Sequence, residues 1–125
     1  MLRAAAWAAA LSGIPSTAYA LATGRDPLEA AYAAGAILLP RETSPQRLLA
    51  AAVPVHLGVS LVWTVVLDRA GVLGARRGAV AGLAIGALDL GLAGRLFPRI
   101  RRLSVGPQLA DHAVFGAIAG RLLHP

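Results

Sequence analysis

Two side chains in this chain of 125 residues have the type and placement for proton chemistry. Asp89 is the one acidic residue in the apolar run GAVAGLAIGALDLGLAGRLF, residues 78–97, and stands almost at its centre. His56 holds a similar depth in a second run, LLAAAVPVHLGVSLVWTVVL, residues 48–67. An ionised aspartate at the middle of a membrane helix costs about 2.5–3.5 kcal/mol, so it needs a partner or a proton. Imidazole exchanges a proton near neutral pH. The two runs are joined by a short turn and read as an antiparallel hairpin. His56 is offset toward the N-terminal end of its run and Asp89 toward the C-terminal end of its own, so both lie toward one membrane face and can meet. The first reading of the pair is a polar clasp between helices; the alternative is a proton or ion relay.

A second cluster is Arg95, Asp111 and His112. Asp111 falls in the first turns of the last helix, where an acid suits the helix dipole. Arg95, at the end of the preceding helix, reads as its partner. A metal site needs at least one more ligand than these residues supply, with His56 several turns deeper and His124 at the far end of the last helix, so no metal is expected. Serines and threonines around Gly13 and Pro15 have no base nearby in sequence to activate them. The chain contains no GxSxG, Walker A, HExxH or GxGxxG pattern. No catalytic residue, cofactor or enzymatic activity is expected.

The elements that must position these groups are all helical. A first helix over residues 4–23 is long enough to span about 30 Å and is kinked at Pro15; Ser12, Ser16 and Thr17 are placed to bond the backbone groups that the proline frees. Ala18-Tyr19-Ala20 fits a signal-peptide cleavage site, but the alanine-rich core is interrupted early, and the segment reads as a retained helix. A second helix, residues 27–39, has Asp26 as N-cap, Pro27 in the first position and Glu29 as capping-box acid. It measures only about 20 Å, which suits a tilted short span, a re-entrant segment or an interfacial helix. Arg25 and Asp26 read as a pair in the turn before it. The third helix opens at Ser44-Pro45 and runs to residue 67, with His56, Ser60 and Thr64 in a polar stripe. The fourth is the run around Asp89. The fifth starts at Pro107 and continues to residue 123.

Small residues mark the packing faces. Gly78, Gly82 and Gly86 recur every four residues, and His112, Gly116 and Gly120 repeat that spacing on the fifth helix. Such stripes let helix backbones approach closely, a main source of helix association in lipid. Asp89, three residues after Gly86, belongs to the glycine face and so points toward a neighbouring helix.

Composition agrees. Apolar residues make up 57% of the chain and charged residues only 14%, with a mean hydropathy of +0.65; soluble domains carry about 45–50% apolar residues. The net charge of +6 comes from twelve arginines against six acids. The arginines cluster at the ends of apolar runs, where they anchor helices and set topology, and no basic stripe interleaved with aromatics points to nucleic acid. Cysteine is absent, which excludes disulfides, thiolate metal sites and covalent haem attachment. If all five helices cross with the N-terminus inside, Arg25 lies outside and Arg99, Arg101 and Arg102 inside. If the second helix does not cross, the N-terminus moves outside while the Arg99–Arg102 loop stays cytoplasmic.

The stretches LSGIPSTAYALATGRDPLEAAYAAG, residues 11–35, and LDLGLAGRLFPRIRRL with PQLADHAVFGAIAG, within residues 88–120, resemble a group of uncharacterised small polytopic membrane proteins of high-GC bacteria. The resemblance implies membrane residence and transfers no catalytic residue. The expectation is therefore one integral membrane domain over residues 1–125: an all-α, small polytopic transmembrane helical bundle of four to five helices with a short second helix, multi-pass in the cytoplasmic membrane. Its partners would be the lipid bilayer and, through the glycine-rich faces, a second copy or another membrane protein. Its role would be that of a structural or accessory bundle, with a transporter or channel element as the alternative. The absence of native cysteine makes topology directly testable: Ser104→Cys should react with a membrane-impermeant maleimide in inverted vesicles and stay unlabelled in intact cells.

Overall fold

A computed structural model describes residues 1–123; His124 falls outside them. The described chain is helical throughout, without strands: α1 (Leu2–Ser12), α2 (Ile14–Ala22), α3 (Glu29–Leu38), α4 (Pro45–Arg69), α5 (Gly74–Leu96), α6 (Pro98–Arg101) and α7 (Val105–Leu123). The expected first helix is thus two pieces on either side of Gly13, with Pro15 in the opening turn of α2. A proline cannot donate to the carbonyl four residues back and clashes with it, so the helix restarts.

The expected start of α3 is revised. Asp26 Oδ1 accepts from the Leu28 amide at 2.8 Å in the turn, and the helix begins at Glu29 without a side-chain cap. Glu29 is no capping-box acid: it pairs with Arg25 at 2.9 Å, so Arg25 bonds Glu29 rather than Asp26. The turn over residues 25–28 folds the chain so that Arg25 meets the first residue of the helix. At ten residues α3 is about 15 Å long. The start of α4 matches its sequence signature, with Ser44 as N-cap accepting from the Arg47 amide and Pro45 following. Glu42 supports that start by accepting from the Thr43 and Ser44 amides, both at 2.9 Å. The Ser44 and Thr43 amides hold its carboxyl below the usual carboxylate range.

The tightest seam joins α5 to α7. The helices run antiparallel, with Gly78 against Gly116, Gly82 against His112 and Gly120 against Gly74. A Cβ on Gly78 or Gly82 would collide with the backbone carbonyl of Gly116 or His112, and one on Gly120 would stand 2.8 Å from the Gly74 oxygen. Gly86 faces the His112 side chain, at 2.9 Å from where its own Cβ would be. A second seam of this kind sets Gly35 of α3 against the Leu48 backbone of α4. The glycine faces are therefore occupied inside the chain.

Helix α7 is the hub. It packs on α5, on both halves of the broken helix and along part of α4, while α4 and α5 barely touch despite adjoining in sequence. The expected α4–α5 hairpin is therefore open. The α4 surface carries large side chains such as Val62 and Val66, exposed here, and offers no glycine stripe to match that of α5. The interior is built from small residues: α1 buries Ala4, Ala5, Ala8, Ala9 and Ser12, and Ala8 and Ala119 meet Leu67, Ile85 and Phe115 in one cluster. Large apolar side chains, among them Trp7, Leu57, Val80 and Leu92, face outward. Helices α4 and α5 are long and apolar enough to cross a membrane.

The glycine seam makes a graded prediction. Gly82→Leu should lower stability by about 1–3 kcal/mol through overpacking, whereas Gly91→Ala, with open space around its Cβ position, should be neutral or raise stability by up to about 1 kcal/mol. Denaturant unfolding in detergent, followed by circular dichroism, measures both.

Candidate functional site

The break at Gly13 leaves two sets of backbone groups unsatisfied, the last carbonyls of α1 and the first amides of α2. The Gly13 amide turns to Leu11 O, so Ala9 O, its usual acceptor, is left for side chains. His56 Nε2 meets Ala9 O at 2.8 Å. A carbonyl only accepts, so Nε2 carries the hydrogen. On the other side of the break, the Ser16 amide donates to Asp111 Oδ1 at 2.8 Å, a capping bond supplied from 95 residues away. A carboxylate at a helix N-terminus also opposes the positive end of the dipole. Two side chains singled out in the sequence as polar candidates thus cap the two ends of one broken helix.

Asp89 has a different environment from the one expected. Its Oδ2 accepts from Trp63 Nε1 of α4 at 3.0 Å and lies 3.3 Å from His112 Nε2 of α7. It makes no hydrogen bond with His56; its histidine is His112. The reason is the seam: Asp89 follows Gly86 on the α5 glycine face, and that face meets α7. Asp111 likewise does not pair with Arg95. His112 faces α5, and the next residue round the helix, Asp111, is turned toward α2. Arg95 lies beside Ile100 and Arg101 in the wall of a separate hollow.

His112 fixes the proton inventory of this site. Its Nδ1 is 2.8 Å from Gln108 O, a backbone carbonyl, and must donate to it. A neutral imidazole then has no hydrogen on Nε2. Nε2 stands 3.3 Å from Asp89 Oδ2, a hydrogen bond whenever that nitrogen carries a proton. Among the described residues Asp89 Oδ1 makes no hydrogen bond, and the side chain is 30% exposed.

These groups open on a cavity of about 570 Å³. Gly13, Ser12 and Ser16 of the break form part of its wall, with His56, Trp63, Asp89, Asp111 and His112. Ala31 and Ala34 of α3 and Val53 and Val59 of α4 supply apolar surface. The rest of the α4 polar stripe is turned inward: Ser60 and Thr64 are buried, and the Thr64 hydroxyl donates to Ser60 O at 2.7 Å. The structure thus brings together His56, Asp89, Asp111 and His112 around one cavity and leaves Arg95 out. Sequence reasoning missed Trp63, which is seven residues after His56 and so two turns along the same side of α4.

Comparisons with protein-family models, with curated proteins and with solved structures give no match for this chain.

The capping bond is testable by itself. Asp111→Ala should destabilise the protein by about 0.5–2 kcal/mol. Asp111→Asn keeps an oxygen for the Ser16 amide and should lose less than half of that, with thermal unfolding in detergent as the measurement.

Proposed function

We propose that this chain is a multi-pass protein of the cytoplasmic membrane and a transport-type element, in which the Asp89–His112 pair takes up and passes on a proton within the bilayer. The observation that carries this reading is an Asp–His pair 3.3 Å apart that opens on a cavity at a broken helix. Irregular backbone at membrane depth is tolerated where it lines a cavity or is buried in protein. Broken helices whose free ends face a central site are a recurrent device of transporters. Ionisable groups inside a membrane mark proton paths.

Membrane residence is supported by the length and apolarity of α4 and α5, by large apolar side chains facing outward, and by an interior of alanine and glycine. One contact bears on topology. Arg25 Nη2 donates to Arg102 O at 3.4 Å, so the turn before α3 and the arginine-rich segment before α7 share one end of the bundle. That contact favours the arrangement in which α3 does not cross, the N-terminus is outside and the Arg99–Arg102 segment is cytoplasmic. The cavity offers no activated nucleophile: the Ser12 and Ser16 hydroxyls donate to Ala9 O and Gly13 O within their own turns.

A structural or accessory role is favoured by a different observation. Asp89 Oδ2 joins α5 to Trp63 of α4 and His112 of α7, which is a clasp of three helices. Asp89→Asn separates the two readings, because an amide oxygen still accepts from Trp63 while an amide cannot share a titrating proton with His112. Purified protein in liposomes, under an imposed potential, should carry protons measurably above empty liposomes, and Asp89→Asn should lower that flux at least tenfold with little change in unfolding. Wild-type flux equal to that of empty liposomes overturns the relay and leaves the clasp.

A further inference from the structure

The cavity beside Asp89 has a composition that selects by charge. Two carboxylates (Asp89, Asp111) and two imidazoles (His56, His112) stand in its wall. The chain carries twelve arginines, yet none of them lines this cavity. An anion entering would meet carboxylates with no fixed cation to hold it, and a cation would meet two carboxylates in a partly buried site, where electrostatic attraction is stronger than in bulk solvent. Asp89 has one acceptor oxygen to give: Oδ2 serves Trp63 and His112, while Oδ1 makes no hydrogen bond among the described residues.

Size and lining narrow the class further. About 570 Å³ is far more than a bare inorganic ion occupies and falls in the range of small-molecule pockets, about 300–1,000 Å³. Among the described residues no group of three His, Cys, Asp or Glu side chains is gathered to hold a metal ion. Much of the remaining wall is apolar, from Ala31, Ala34, Val53 and Val59 with the aromatic rings of Trp63 and Phe115, beside a few uncharged polar side chains. Apolar walls with a few placed polar groups are the usual make-up of a small-molecule site, and aromatic faces attract organic cations.

We propose that this cavity binds a protonated amine bearing an apolar body, with the ammonium on Asp89 Oδ1 and the body against Trp63, Phe115 and the α3–α4 wall. This names the substrate class of the transport-type reading and rests on that reading for its biological use, although binding is measurable without it.

Three probes of one shape make the test: 1-naphthylmethylamine, protonated at neutral pH; 1-naphthalenemethanol, uncharged; and 1-naphthylacetate, an anion. Binding is measured by naphthalene fluorescence with the full chain in nanodiscs of uncharged phosphatidylcholine, with empty nanodiscs as the blank. The amine should bind at least tenfold more tightly than the alcohol, and the acetate should not bind. Asp89→Asn should remove the preference for the amine and leave alcohol binding unchanged. Val59→Trp, which fills the cavity without touching its polar wall, should weaken amine and alcohol alike. Equal affinity for amine and alcohol in the wild type overturns the proposal, as does acetate binding as tightly as the amine; neither outcome depends on a variant folding. Proton flux in liposomes without amine selectivity overturns this proposal alone, and amine selectivity without flux overturns the relay alone.

Discussion

The arrangement of this protein depends on backbone meeting backbone along α5 and α7. Glycine at 78 and 82 lets the carbonyls of Gly116 and His112 come so close that no side chain could stand between them. In lipid such close packing replaces the hydrophobic drive available to a soluble core. Everything polar in the site follows from this register. It delivers His112 to the glycine face of α5, where Asp89 lies three residues beyond Gly86. It also turns Asp111, the neighbour of His112, to the other side of α7, toward the start of α2. One seam thus orients two carboxylates in two different tasks.

The tasks are distinct in chemistry. Asp111 and His56 answer a backbone problem, the loose ends created where Gly13 and Pro15 break a helix. Unmet buried amides and carbonyls each cost free energy comparable to a lost hydrogen bond, and a cavity wall is the place where side chains can reach them. Asp89 and His112 answer to each other, with the His112 tautomer set by the Gln108 carbonyl. A main-chain oxygen thereby takes Nδ1 and leaves Nε2 to face the acid. Trp63 gives Asp89 a second donor and holds α4 to α5 across a gap that apolar packing leaves nearly empty.

Much of this was legible in the residues, and the misreadings have physical causes. The helical class, the cap at Ser44-Pro45, the kink at Pro15 and the inward face of Asp89 all follow from local rules, and the structure carries them. What local rules do not supply is which helix faces which. Sequence adjacency favoured α4 as the neighbour of α5, yet only α7 presents Gly116 and Gly120 in a spacing that matches Gly78 and Gly82. The matching stripe was visible in the chain; its weight against a short connecting turn was not. The lost Arg95–Asp111 pair has the same origin, since it assumed that residues near one end of two helices also share a face. Asp26 and Glu29 show the limit on a smaller scale: a capping box and an i, i+4 ion pair compete for the same glutamate, and Arg25 decides the outcome.

The bond from Ser16 to Asp111 has a bearing on how the protein is made. Its partners are 95 residues apart in the chain. At synthesis rates of about 5–20 residues per second, the Ser16 amide is in place for roughly 5–20 s before its carboxylate has been synthesised. During that interval the two halves of the broken helix have no aspartate to bridge them. The geometry of that break therefore waits on a residue made 95 positions later.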